Sequence, residues 1–441
     1  MKIKRKMLSV LILFIFVFGA FTSVAMADDV EKLEPHRFNF SFSVFEQPDA
    51  SSPIVSWFNP QTVAVVEAQE DGWLRVATYR GDYWAFAHCE STLEFNTHIQ
   101  GIGDSVTVYG TGVTISDGLV NIWAGGTYLI SGAFNGQIRV TAPAGDDVRL
   151  ILHEAWVTNP TGAALYIVND GLRHIETSIN TRNSLRSGNN AAIHAGGSVT
   201  LGGEGSLAAR GGIRANRDVN IRGGDISIRT YETWAIGIRS GHSINIYGGN
   251  IDINAAYEGM EADFINIHAG SININSVDDG INITSLSGAL VINGGEISIT
   301  AQGDGIDSNG TITIRGGKIS ISAFGVCGQT QALDLEGHHN FRLYEGVVFV
   351  GTGRIFSNVP QGHTGQPTIN IQFNRIRNAG IEISLRTASG QELISFTPEL
   401  RFSAFTVSIP ELVVREAYHI YLDGVRAASV NLNRDIIHVW R

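Results

Sequence analysis

The chain has 441 residues, 51 of them glycine, and carries Lys+Arg 31 against Asp+Glu 42; glycine runs well above its usual share of about 7%. With 17% charged and 43% hydrophobic residues, neither a disordered chain nor a multi-span membrane protein fits. The acidic balance also argues against nucleic acid as a partner.

Residues 1–27 have the three parts of a secretory signal: a basic start from Lys2 to Lys6, an apolar run from Leu8 to Phe21, and the small-residue site Ala25-Met26-Ala27. The run is shorter than the roughly 20 residues a spanning helix needs. Export with cleavage is therefore expected, to a secreted or cell-surface destination, with membrane contact only through this segment before cleavage. Its removal leaves 27 basic against 42 acidic residues, a net charge of −15. Cys89 and Cys327 lack zinc-ligand spacing; one disulfide and two free thiols fit equally well.

Short alternating apolar runs broken by Pro48, Pro53, Pro60 and Gly72 predict a small all-β barrel over 36–93. Asp71-Gly72-Trp73-Leu74-Arg75-Val76 followed by Gly81-Asp82-Tyr83-Trp84-Ala85 resembles the end of a bacterial SH3-like domain. That resemblance implies a spacer or a module holding cell-wall glycan. Trp57, Trp73 and Trp84 are expected in the barrel core rather than on a ligand platform.

From 101 to 360 the chain repeats. Gly-Gly or Ala-Gly pairs begin at 202, 223, 248, 269, 294 and 316, and a second marker recurs at Gly212-Ile213, Gly237-Ile238, Gly259-Met260, Gly280-Ile281 and Gly305-Ile306. Short alternating strands flank these pairs, as in Ile244-Asn-Ile246 and Ile251-Asp-Ile253. A unit of 21 to 25 residues with three short strands and no helical period predicts one coil of a parallel β-helix. Coils with fainter markers extend back through Gly162-Ala-Ala-Leu-Tyr166 to about Gly101. Longer strands follow Pro367, and an antiparallel β module over 361–441 is expected to close the open coil end.

Aligned on the Gly-Ile marker, Glu258, Asp279 and Asp304 fall at one place in three successive coils, about 4.8 Å apart. Adjacent anions at that spacing repel by roughly 3 kcal/mol at an effective dielectric near 20. Asp278, Asp307, Glu261 and Asp263 crowd the same edge, and calcium is the natural extracellular counter-ion for such hard oxygens; a solvated acidic row is the alternative. Two places after the marker glycine the stack reads His194, Arg214, Arg239, Glu261, Asn282, Asp307. Arginine forks there suit carboxylated sugars, although Arg239 and Glu261 also fit a plain ion pair. Outward positions before each Gly-Gly read Arg222, Tyr247, His268, Asn293, Arg315, beside Asn220, Asn245 and Asn266. That polar ladder fits either an extended polysaccharide or amides stacked for structure alone.

No nucleophile elbow, zinc-protease helix or phosphate loop occurs in the sequence. Arg239 and Asp279 lie two coil steps apart, about 10 Å, so a base and a metal-held carboxylate are displaced along the axis. Binding without cleavage is the expectation.

Val277-Asp-Asp-Gly-Ile281 and Gly303-Asp-Gly-Ile-Asp307-Ser, together with Gly390-Gln-Glu-Leu-Ile-Ser-Phe-Thr-Pro398 in the tail, resemble a family of secreted bacterial carbohydrate-binding proteins over about 101–425. The resemblance implies a right-handed parallel β-helix akin to polysaccharide lyases, binding calcium and polysaccharides such as cellulose or polyuronates without established catalysis. By motif match Asp278, Asp279, Asp304 and Asp307 would carry calcium. Gly211 and Ile236 stand where the acid is missing in the earlier coils, which implies fewer metal sites. A calcium-dependent polysaccharide lyase and an envelope adhesive or spacer are the competing functions. Arg214, Arg222, Arg239, Tyr247 and His268 are the candidate sugar contacts.

Overall fold

The computed structural model describes residues 36–38, 42–48, 54–58, 61–63, 65–69, 73–78 and 81–86, then 95–441 apart from 104, 172, 189–190, 326–328, 337–339 and 361–364. The signal segment, Cys89 and Cys327 lie outside the described residues. The chain forms two units, Met1–Glu94 and Phe95–Arg441.

In the first unit, Ile54–Phe58, Phe42–Phe45, Gly81–Phe86, Trp73–Thr78 and Val65–Ala68 make a five-stranded sheet in that order, with antiparallel pairs. The two tryptophan-bearing strands lie side by side, with Arg75 opposite Trp84. Trp73 is buried beside Val44, Leu74, Val76 and Ala85, and Trp84 is half-buried. The side chain of Trp57 lies outside the described residues.

The second unit is a parallel β-helix. Its first coil is preceded by a hairpin, Thr97–Ile102 with Ser105–Tyr109, whose first strand runs parallel to part of Gly126–Asn135 and covers that end of the stack. Coils with three separate strands run from Leu165–Ile167, Arg173–Thr177 and Arg182–Ser187 to Leu333–Leu335, Phe341–Leu343 and Val348–Gly353. In the two coils before these, the second and third strands are continuous, as Gly126–Asn135 and Val148–Asn159, with a register shift at Ser131. Each coil thus has three faces. The first bears the Gly-Ile marker strands, the second the strands before Gly-Gly, and the third the strands after it.

Alternation explains the stack. In a three-residue strand such as Ile238–Ser240, the outer two side chains point inward and the middle one outward. Ile238, Ile244, Ile246, Ile251 and Ile253 are all buried, and the isoleucines of successive coils merge into one core. Burying one such side chain is worth about 1.5–3 kcal/mol, repeated at every coil. The two glycine markers have different causes. A Cβ on Gly280 would lie 2.3 Å from Ile299 Cγ2 and 2.5 Å from the Gly305 carbonyl oxygen, so close coil packing demands glycine there. The second glycine of the pair is needed for its backbone: Gly270 has φ 107°, which a side chain rarely adopts. Its predecessor has no such need, and Ala269 takes that place.

Beyond the last coil, Val348–Gly353 pairs antiparallel with Phe402–Ser408, which pairs antiparallel with Thr368–Arg377. Glu392–Phe396, Ile383–Thr387, Ala417–Leu422 and Val425–Asn431 form a four-stranded antiparallel sheet in that order. Ile369, Phe402, Phe405, Leu385 and Ile420 belong to a second core. One expectation needs correction: the module is not wholly antiparallel, because Ile436–Trp440 lies parallel to Thr368–Arg377. A whole sheet intervenes between these two strands. That long connection allows the chain end to return in the same direction, as a parallel pair requires.

Candidate functional site

The outward middle residues of the first face form one row: Asn121, Arg139, Tyr166, His194, Arg214, Arg239, Glu261, Asn282, Asp307 and Asp334, each opposite the next. One half is basic and aromatic. The Arg139 guanidinium lies 5.8 Å from the Tyr166 ring centre, and the Tyr166 and His194 rings are 5.2 Å apart. Burial, then the charge of Arg214, holds the His194 imidazole below its ordinary value. Arg214 is exposed. Arg239 Nε donates to Glu261 Oε1 at 2.9 Å, so of the two readings of this arginine the ion pair is the one formed. Arg139, Tyr166 and Asp334 were not singled out by the marker because Gln137, Ala164 and Ala332 stand at its glycine, while Ile138-Arg139-Val140, Leu165-Tyr166-Ile167 and Leu333-Asp334-Leu335 keep the triplet pattern.

At the acidic half, the N–H of Gly259 donates to the Asp279 carbonyl and that of Gly280 to the Asp304 carbonyl, at 3.0 and 2.9 Å. Glu258, Asp279 and Asp304 therefore stack in register. Backbone donors hold two of the carboxylates: the Asp304 N–H reaches Asp279 Oδ1 at 2.7 Å and the Gln331 N–H reaches Asp304 Oδ1 at 2.5 Å. Asn282 Nδ2 donates to Glu258 Oε1 at 2.9 Å. Glu258 is only 4% exposed, and its Oε2 is buried with no hydrogen-bond partner among the described residues.

One carboxylate oxygen from each of Glu258, Asp278 and Asp279 lies within 4.8 Å of the others. Asp304 and Asp307 flank this triad rather than entering it. Burial first, then Asp278 and its neighbours, pushes Asp279 up to about 8 against the pull of the Asp304 N–H. Asp304 rises to about 7 and Asp307 to about 6, again chiefly by burial, with Asp334 adding repulsion. Burial raises Glu258 too, reinforced by Glu261 and Asp278. Asp263 does not belong to this edge. It follows the strand Met260–Ala262, at the end away from Glu258, and accepts a hydrogen bond from Thr284 Oγ1 at 3.0 Å.

Between the two halves projects a loop that the repeat spacing did not single out. Thr230 is buried; its Oγ1 donates to the Ala235 carbonyl at 3.0 Å and accepts from the Ala256 N–H at 2.7 Å, pinning the loop base. Trp234 sits at φ 67° and is 70% exposed. A bulky residue in that region costs about 1–3 kcal/mol, so the loop holds an indole in water at a cost to the fold. Its ring meets Tyr257 edge-on at 4.8 Å. Desolvation and a hydrogen bond to Asp278 push the Tyr257 phenol up to about 12. Tyr231, Trp234, Arg214 and Arg239 line a cavity of about 240 Å³. Tyr257 thereby joins the aromatic platform and basic row to the carboxylate triad. The step from Gly212 to Gly237 is 25 residues, the same as from Gly280 to Gly305, so the repeat length gave no sign of this loop.

Arg222, Tyr247 and His268 lie on the second face, so the structure separates them from Arg214 and Arg239. All three are exposed. Tyr247 and His268 stack with centroids 4.9 Å apart and planes 2° apart, Asn293 Nδ2 is 3.3 Å from His268 Nδ1, and Arg315 lies over Tyr344 at 5.5 Å. Tyr344 extends the ladder beyond the residues legible in the repeats. Beside it Asn245 donates to Asn220 and Asn266 to Asn245, both at 2.9 Å. These amides hydrogen-bond one another along the stack, as the structural alternative requires.

The chain is thus a parallel β-helix with an aromatic loop set between a guanidinium row and a carboxylate row. The family model of the carbohydrate-binding domain-containing protein matches residues 116–282 and 232–347, together more than half of the chain, and the chain belongs to that family. Among solved structures, the polysaccharide lyase-like protein from C. thermocellum, as its gadolinium derivative, matches with 25% identity and a TM-score of 0.40, over 56% of this chain and 100% of that one. No curated protein matches.

Proposed function

We propose that the chain is an exported, non-catalytic binder of acidic polysaccharide that uses calcium at Glu258, Asp278 and Asp279, with Asp304 and Asp307 at its flank. The observation that carries this reading is the contiguity of Trp234, Tyr257 and Asp278: a sugar ring stacked on the indole lies beside the carboxylate triad and beside Arg214. The triad fits a hard cation because its donors are all carboxylate oxygens and Glu258 Oε2 is a buried acceptor without a donor. Calcium bound there supplies a positive centre to which a sugar carboxylate adds its own oxygens. Asn282 orients Glu258, the Asp304 N–H fixes Asp279, and Tyr257 stays protonated as a donor to Asp278.

Export is supported by the basic, apolar and small-residue parts of 1–27; among the described residues no helix is long and apolar enough to cross a membrane. The adjacent Trp73 and Trp84 strands support the SH3-like reading of 36–93, with cell-wall glycan as its partner.

Absence of cleavage rests on Arg239. The acid cluster begins one coil away at Glu258, closer than the spacing of Arg239 and Asp279 alone implies, since Gly237 donates to the Glu258 carbonyl. Arg239 is nevertheless committed to Glu261, which keeps its guanidinium charged and unsuited to act as a base. Incubation with polygalacturonate is expected to give calcium-dependent retention that chelator reduces, with no rise in ultraviolet absorbance from unsaturated products. A steady rise that vanishes in Arg239→Ala would make the protein a lyase, and calcium-independent retention unaffected by Trp234→Ala would move the ligand off this site.

A further inference from the structure

The third face carries an arginine ladder that none of the sites above uses. Arg186, Arg210 and Arg229 stand opposite one another in three successive coils, about 4.8 Å apart along the stack. All three are exposed, while their chain neighbours Leu185, Ala209 and Ile228 are buried in the core. Among the described residues the ladder has one ion pair, Arg229 with Asp252 at 3.9 Å, and that carboxylate also accepts from Asn273 at 2.9 Å. Stacked like charges in neighbouring strands destabilise a sheet. Beyond the long Arg229–Asp252 pair no ion pair of this row is seen among the described residues, whereas an anion laid along it would relieve the repulsion.

The ladder also borders a groove. Trp156, 36% exposed, lies opposite Ser184 in the next coil, and with Arg182, Arg186 and Arg210 it lines an open cavity of about 690 Å³. An aromatic face beside guanidinium forks presents a sugar ring with a stacking surface and its carboxylate with paired donors.

We propose that this groove is a second, metal-independent site for a carboxylated polysaccharide, whose successive carboxylates meet successive arginines along the helix axis. It shares the ligand class of the reading above but none of its residues. The carbohydrate-binding family of the chain favours a polysaccharide over a nucleic acid there.

The test is affinity electrophoresis of the mature chain in polygalacturonate with excess chelator, which silences the calcium site. The parent is expected to be retarded, and the Arg186→Ser/Arg210→Ser/Arg229→Ser variant to bind at least about tenfold more weakly, as for loss of charged hydrogen bonds. Its melting temperature should be equal or higher, since the removed charges repel. Calcium should still increase retention of the triple variant; loss of that increment from the parent would count against the first-face site and leave this one standing. Equal retardation of parent and triple variant in chelator would overturn the proposal. So would a loss of binding accompanied by a lower melting temperature, or equal binding of single-stranded DNA.

Discussion

The two halves of the first face share one backbone and differ only in what stands on it. From Arg139 to Arg239 the row is cationic and aromatic, and most of its groups find partners within the protein: Arg139 with Tyr166, Tyr166 with His194, Arg239 with Glu261. From Glu258 to Asp334 the carboxylates face other carboxylates, and burial lifts several of them far above the ordinary range. The cationic half is partly paired as folded and leaves Arg214 exposed; the acidic half calls for a cation or protons. A repeat that fixes the backbone so tightly leaves its outward positions free to be electrostatically unfavourable, which is where a binding function can be placed.

The largest expected difference between the halves is their response to pH. An acid raised in the folded state keeps a proton that the unfolded chain has lost, so between about pH 4 and pH 8 stability falls as pH rises. Without calcium the melting temperature should therefore decline over this window. Calcium, binding the ionised form, should restore it, by roughly 2.7 kcal/mol at a hundredfold excess over Kd. Thermal melts with and without chelator at pH 5 and pH 8 check this: the gap should widen toward pH 8. A gap of the same size at both values would separate calcium from the raised carboxylates.

Next in size is the indole between the halves. Trp234→Gly should weaken polygalacturonate retention by about tenfold, the scale of a lost aromatic contact plus its buried area. The same change should leave stability unaltered or slightly higher, since glycine accepts φ 67° without strain. Loss of both binding and melting temperature would make Trp234 a structural residue. Smaller still is the second face, where Tyr247→Ala should lower retention by less than Trp234→Gly does, its ring being stacked on His268 already. A larger effect at Tyr247 would transfer the principal sugar surface to that face. The smallest expected effect is in the amide ladder: Asn245→Ala should cost about 1 kcal/mol of stability, the net worth of a hydrogen bond, without altering retention.

How far the fold was legible depended on whether its cause was local. Ile-x-Ile strands and paired glycines sit within one coil, so the repeat and the register from His194 to Asp307 follow from alignment alone. The continuous strands Gly126–Asn135 and Val148–Asn159 obscure the repeat because their coils turn at a bulge instead of a Gly-Gly corner. Ile436–Trp440 was not recognised because its partner lies more than sixty residues earlier. In the site, Glu258, Asp279 and Asp304 were visible as a ladder. Which acids converge was not, because Asp278 joins the triad through a turn while Asp263, in the coil of Glu258, lies at the other strand end. Trp234 escaped because it lies between the aligned markers Gly212-Ile213 and Gly237-Ile238, outside the positions that the alignment compares.

Whether Glu258, Asp278 and Asp279 hold a cation is tested most directly by calorimetric titration of calcium into the mature chain at pH 8 and pH 5, with Glu258→Gln alongside. Saturable binding at pH 8 with proton release, much weaker binding at pH 5, and loss of binding in Glu258→Gln are expected. Absence of binding at pH 8, or binding that neither pH nor Glu258→Gln alters, would contradict this cation site.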